Sequence, residues 1–205
     1  MSHHAFRRDS AQFAKALAAP GADEAGRVEV LRREWQWFRG ALHGHHDSED
    51  TKMFLFLLSR HPEKKPVFER LAAEHHLIDP LLLRGDQAFA AEPFDAAAAA
   101  QMIAELRALL DSHLAYEEAE AVPLLRGGAG FPPPTNEQEA VMYAQGFAWS
   151  SAGIAPDVLA KLDATLPEIL TSRLPAARAE FLARWESSWG APVPAVSRSS
   201  VPAFD

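Results

Sequence analysis

From Leu31 onward an apolar residue recurs every three or four positions, through Leu31, Trp35, Phe38 and Leu42. Without losing step, the series then places His45 and Glu49 where apolar side chains belong, before Met53 and Phe56 resume it. That spacing is the buried stripe of a core-facing helix, so the chain must carry an imidazole and a carboxylate into its core. Four residues apart, the two project from one face. Buried polar groups need partners, and a metal ion is the simplest partner that serves both.

The other ligands can be sought on the same principle. Residues 3 to 19 read as a first helix ended by Pro20-Gly21, with a stripe of His3, Phe6, Ser10, Phe13 and Leu17 that turns His3 inward and leaves His4 beside Arg7 and Arg8. The second helix is long, about residues 24 to 60, with Gly40 and Gly44 as places to bend. Within it His46 and Asp50 point roughly 100° away from the stripe, which gives His43 and His46 a flanking or solvated role. A third helix, from Glu63-Lys64 to about Ala91, carries Phe68, Leu71, His75, Ile78 and Leu82 on its stripe. Asp79 lies one turn beyond His75, next to Pro80, where a kink is expected. The fourth helix, about residues 95 to 124, carries Ile103, Leu106, Leu110, His113, Glu117, Ala121 and Leu124, so that His113 and Glu117 repeat the spacing of His45 and Glu49.

Counting from each loop at about 1.5 Å per residue puts His3, His45, His75 and His113 at one level of an antiparallel up-down bundle, to within about 8 Å. The predicted fold is therefore all-α, a four-helix bundle over residues 1–126, with a Gly/Pro-rich linker at 127–134. A small C-terminal helical extension follows over 135–189, made of helices near 135–148, 156–166 and 175–188 with Trp149, Trp185 and Trp189 as apolar anchors. Residues 190–205, rich in Pro, Ser and Ala, read as a disordered tail.

Composition narrows the chemistry. All nine histidines lie between His3 and His113, so imidazole chemistry is confined to the bundle. With no cysteine, any metal must take nitrogen and oxygen donors. A net charge of -8 without a basic stripe argues against nucleic acid and anionic membrane as partners. The N-terminus has no apolar signal core and the longest aliphatic-aromatic run, Met53 to Leu58, is too short to span a bilayer, from which we expect a soluble, cytoplasmic protein. Seven candidate ligands, His3, His45, Glu49, His75, Asp79, His113 and Glu117, exceed a tetrahedral zinc site. They suit two carboxylate-bridged ions of iron or manganese. The Glu-x-x-His pairs of ferritin-like di-iron bundles are absent, as are His-Glu-x-x-His and any Gly-rich phosphate loop.

These motifs resemble a known family. His45-His-x-x-Glu49-Asp50 within LHGHHDSED, Glu74-His75 in EHHLIDPLL, and His113-Leu-x-x-Glu117-Glu118 are similar to the hemerythrin-like HHE cation-binding domain. His3 in HHAFRRD is similar to the first-helix histidine of bacterial members. The likeness covers about residues 3 to 125; the C-terminal part more loosely resembles extensions of actinobacterial relatives. It implies an oxo- or hydroxo-bridged centre of two iron ions that binds dioxygen, peroxide or nitric oxide.

Two departures from the oxygen-carrying members stand out. Where their third helix has a second histidine this chain has Asp79, and where their fourth helix pairs His with Asp five residues on, this chain has His113 and Glu117. An imidazole replaced by a carboxylate would make the site harder and more ferric, which disfavours reversible oxygen carriage. Two function classes remain, with a metal-free structural bundle as the bland third. One is a di-iron site that handles oxidative or nitrosative stress, for instance by disproportionating peroxide. The other is a binding, sensing or iron-storage module without turnover; no effector domain is recognisable, which tilts the balance toward redox chemistry.

Overall fold

The computed structural model describes residues 2–125 and 134–196. Among these every regular element is helical. Contacts divide the chain into two compact units, Asp9–Ala129 on the one hand and Met1–Arg8 with Gly130–Asp205 on the other. The division falls within the first helix, α1 (Ser2–Leu17), where the sequence placed it near residue 126.

In the larger unit, α1 from Asp9 onward is followed by α2 (Ala25–Ser48), a π-helical turn (Glu49–Met53) and α3 (Phe54–Arg60), which run on as one rod. A 3₁₀ turn at Pro62–Lys64 leads into α4 (Lys65–Ala90), and α5 (Ala96–Glu120) closes the unit. Asp95 starts α5 by accepting hydrogen bonds from the backbone N–H of Ala97 and Ala98, two donors that the helix itself leaves unmade. Cross-helix pairs fix the directions. Trp35 with Asp86, His46 with His75 and Phe54 with Phe68 run α4 antiparallel to α2 and α3; Arg84 with Glu105, His75 with His113 and Lys64 with Glu120 run α5 antiparallel to α4.

The π turn changes the register. Phe54 N–H donates to the carbonyl of Glu49, five residues back, so one extra residue is wound into the rod. Beyond it the buried positions are Phe54 and Leu57 rather than the expected Met53 and Phe56, and Phe56 is 40% exposed. Gly40 and Gly44 lie within regular α2, so the irregularity falls a turn later than the glycines suggested. Helix α4 continues through Pro80, which lies on its exposed face.

Two apolar blocks bracket the middle of this unit. At one end Phe13, Trp35, Phe38 and Phe89 pack edge to face and stacked, with Trp35 and Phe89 ring centroids 4.9 Å apart. At the other, Phe54, Leu57, Phe68, Leu71 and Ala121 form a second cluster. The histidines fall between them.

In the smaller unit, Asn136 caps α6 (Glu137–Ser151) by accepting from Glu139 N–H. Helices α7 (Pro156–Asp163), α8 (Glu168–Thr171) and α9 (Leu174–Trp189) follow, the short α8 having escaped the sequence reading. The first turns of α1 belong here. Arg8 donates to the carbonyls of Trp149 and Ala152 and lies over the rings of Phe181 and Trp185, while Phe6 packs edge to face on Trp149. Residues 190–196, expected to be disordered, are tied down at two points: Val196 N–H donates to Gly153 O at 2.8 Å, and Trp185 Nε1 donates to Ala191 O. The segment takes part through its backbone groups, which composition does not reveal. The expected linker, save Pro134, and residues 197–205 lie outside the described residues. No helix among the described residues is long and apolar enough to cross a membrane.

Gly85 is where the aromatic end of the larger unit is most sharply constrained. A Cβ there would stand 2.1 Å from Cζ2 of Trp35, whose indole N–H is anchored on Asp86. Gly85→Ala should therefore destabilise the protein by about 1–3 kcal/mol, the usual cost of overpacking a filled core, whereas Gly40→Ala, which meets nothing within 4 Å, should not. Chemical denaturation of the two variants tests this.

Candidate metal centre

The last turn of α2 and the π turn present His45, His46, Glu49 and Asp50; α4 presents Glu74 and His75; α5 presents His113 and Glu117. These side chains converge as two adjoining groups. In the first, one ring nitrogen of each of His46, His75 and His113 lies within 4.8 Å of the others. The His46 and His75 rings stack at 4.0 Å, and Nε2 of His75 faces Nε2 of His113 at 3.2 Å. In the second, a ring nitrogen of His45 and one carboxylate oxygen each of Glu49 and Glu117 meet within the same limit. Glu49 spans the two, with Oε1 2.9 Å from His45 Nε2 and Oε2 3.5 Å from His75 Nε2. Glu117 Oε2 stands 3.9 Å from His113 Nε2.

The outer nitrogens determine what the inner ones can do. His75 Nδ1 lies 3.0 Å from both oxygens of Asp50, and His113 Nδ1 lies 3.0 Å from Glu74 Oε2. A carboxylate only accepts, so each Nδ1–H donates outward and each Nε2 turns a lone pair inward. With both rings neutral, two lone pairs face each other at 3.2 Å; a proton on His75 Nε2 would have His113 Nε2 and Glu49 Oε2 within reach. His46, 4% exposed, adds a third imidazole whose ring nitrogens have no hydrogen-bond partner among the described residues. One proton can bridge only two nitrogens. A cation can accept from all three, and an outward carboxylate on each ligand imidazole is the usual support of such a site.

The electrostatics agree with this chemistry. Burial, followed by the neighbouring imidazoles of His75 and His45, pushes the pKa of His46 down to about 2, so it stays a neutral donor. Burial also lowers His113, against the pull of Glu74. For His75, burial is outweighed by Glu49 and Asp50 and the net shift is upward. Burial would raise Glu49, yet the His45 and His75 hydrogen bonds hold it well below the usual carboxylate range. The donors therefore fit a cation held by His46 and His113 as neutral imidazoles and by an ionised Glu49, with His75 giving up a proton as the cation binds.

Of the residues expected from sequence, His45, Glu49, His75, His113 and Glu117 are brought together, and Asp79 is not. Asp79 lies on the exposed face of α4 with its carboxylate 4.0 Å from His76, outside the buried positions His75, Ile78 and Leu82 of that helix. The argument for a harder, more anionic site, so far as it rested on Asp79, falls with it. His46, read as flanking, is buried at the centre. With the π turn below it, α2 turns both His45 and His46 toward the core, one to each group. His3 is 8% exposed in the first turn of α1, within the smaller unit. Sequence reasoning missed Asp50 and Glu74 as partners of the imidazoles; their adjacency to Glu49 and His75 was the available signal.

A comparison with family models adds a finding of a different kind. Residues 1–125 match the hemerythrin HHE cation-binding domain.

The chain belongs to the hemerythrin HHE cation-binding family.

No curated protein and no solved structure matches it significantly. The match ends where α5 and its 3₁₀ turn end, so the family's cation-binding helices are those that carry the two groups.

Two outcomes are expected of the histidine layer. His46→Ala should lose much of the bound metal and His76→Ala, on the exposed face of α4, should keep it; elemental analysis of the two variants decides. In the metal-free protein, acid should act through His46. Its folded pKa lies below the unfolded value of 6.5, so the unfolded chain takes up a proton that the folded one refuses, and stability is lost as pH falls below 6.5 at about 1.4 kcal/mol per pH unit. Between pH 6.5 and pH 5 the wild type should thus lose about 2 kcal/mol relative to His46→Leu, read from denaturation curves at the two pH values.

Proposed function

We propose that the bundle holds two iron ions and uses them to bind or react with dioxygen, peroxide or nitric oxide, in the handling of oxidative or nitrosative stress. The observation that carries the reading is the pair of Nε2 atoms facing each other at 3.2 Å, with both outer nitrogens committed to carboxylates. His46, His75 and His113 would hold one ion and His45 the other, with Glu49 and Glu117 shared between them. His3 is proposed as a further ligand from its position on the inward stripe of α1. Mixed nitrogen and oxygen donors in this number suit iron better than zinc.

Bound iron supplies one-electron redox steps and open coordination positions. The chain supplies the rest. Asp50 and Glu74 keep the Nδ1 protons in place, so the inner nitrogens of His75 and His113 are aimed and basic before any ion arrives. Glu49 and Glu117, 3% and 2% exposed, bring compensating charge into a space that water hardly reaches. Phe54, stacked on His75 with ring centroids 5.8 Å apart, together with the apolar blocks above and below, favours small, weakly charged ligands over hydrated anions. The His45 side offers fewer nitrogen donors than the His46 side.

With Asp79 outside the centre and His46 within it, reversible ligand binding and peroxide turnover both remain open to this donor set. Iron-loaded protein should contain about two iron atoms per chain, and mixing it with hydrogen peroxide should release dioxygen, two peroxides giving two waters and one dioxygen. A reproducible content near one, or zinc alone, would remove the di-iron reading. Two irons without dioxygen release, but with a new absorption band on adding nitric oxide, would assign binding rather than turnover.

A further inference from the structure

The two facing imidazoles are not supported alike. Asp50 turns both oxygens to His75 Nδ1, and among the described residues it pairs with no arginine or lysine. Glu74 gives one oxygen to His113 Nδ1; its other oxygen accepts from Arg70 Nε at 2.8 Å. Arg70 is itself fixed, its guanidinium carbon 3.6 Å from the ring centroid of Tyr116. Arg70 and Glu74 stand four apart on α4, and Tyr116 follows His113 by three on α5, so these contacts run in one line from a half-exposed guanidinium to a fully buried imidazole.

We propose that Arg70 is a positioning residue of the metal centre, which through Glu74 sets how much negative charge reaches His113 and so makes His113 a weaker donor than His75. The proposal rests on the reading that both imidazoles ligate iron. A carboxylate that accepts from Nδ1–H makes the far nitrogen more basic, and a guanidinium on the same carboxylate draws part of that charge away. Water screens Arg70, whose side chain is 52% exposed, so its role is to modulate the donor rather than to hold the fold. A poorer donor stabilises the ferric state less than the ferrous one, so the reduction midpoint rises as less charge reaches His113, and the sign of the effect can be read in that potential.

The test is the first reduction midpoint of the iron-loaded full chain, followed spectroelectrochemically in Arg70→Gln, Arg70→Lys, Glu74→Gln and the Arg70→Gln/Glu74→Gln pair. Arg70→Gln leaves Glu74 fully charged toward His113 and should move the midpoint negative. Glu74→Gln removes that charge and should move it positive. Arg70→Lys should stay near the wild type, and the double variant should match Glu74→Gln, because Arg70 acts through Glu74. Shifts of Arg70→Gln and Glu74→Gln in the same direction would mean that both merely loosen His113, and would overturn the proposal. So would an unchanged midpoint in Arg70→Gln, or additive shifts in the double variant. Iron content is measured first: a wild type that binds no iron overturns the underlying reading and the proposal with it, whereas normal loading with coincident midpoints overturns the proposal alone.

Discussion

The approach of two imidazole nitrogens to 3.2 Å, with their outer nitrogens tied to Asp50 and Glu74, is the constraint to which the larger unit is built. Lone pairs do not converge in an apolar interior without a reason. Each imidazole gives up its hydration, and one proton shared between two inner nitrogens still leaves the buried His46 ring without a hydrogen-bond partner among the described residues. The apolar blocks on either side supply the burial that makes this arrangement stable enough to fold. On the proposed reading a cation would stabilise the layer itself, which would couple ion binding to folding.

Much of this was legible in the chain. Three- and four-residue periodicity located the helices of the larger unit, and the polar intruders on its stripes, His45, Glu49, His75, His113 and Glu117, are the side chains that meet. What was not legible has one main cause. A π turn adds a residue without any mark in composition, and every register argument that crosses residues 49–53 slips by one position. Met53 and Phe56 were expected inside for that reason, where Phe54 and Leu57 are buried. His46, just before the turn, was assigned to a flank by assuming that the core touches the helix along a single stripe. Here the helix end is surrounded closely enough for neighbouring residues to serve two groups.

Carboxylates were misjudged in the opposite direction. Asp79 was admitted because it repeats the four-residue spacing from His75, yet spacing alone does not say that both ends of a pair face inward. Asp50 and Glu74 were passed over because they lie beside stripe positions rather than on them. An outer-shell partner must lie there. To reach the far nitrogen of an inward imidazole on a neighbouring helix, a carboxylate has to come from the edge of the stripe, partly wet, as Asp50 and Glu74 are with 34% and 16% of their side chains exposed. Partial burial would raise Glu74, yet hydrogen bonds from Arg70 and His113 hold it below the usual carboxylate range, and its charge fixes the His113 tautomer.

Helix α1 begins in the smaller unit. Its first turns are gripped by Arg8, which combines two charge-assisted bonds to the carbonyls of Trp149 and Ala152 with the faces of Phe181 and Trp185. A helix N-terminus ordinarily frays, because its first N–H groups lack partners, and His3 stands in that first turn. Fraying of that turn would argue against His3 as a ligand. Arg8 and Phe6 remove the force of that argument: the turn that carries His3 is anchored within its own unit by contacts that do not depend on metal, so the residue can be ordered before any ion is bound.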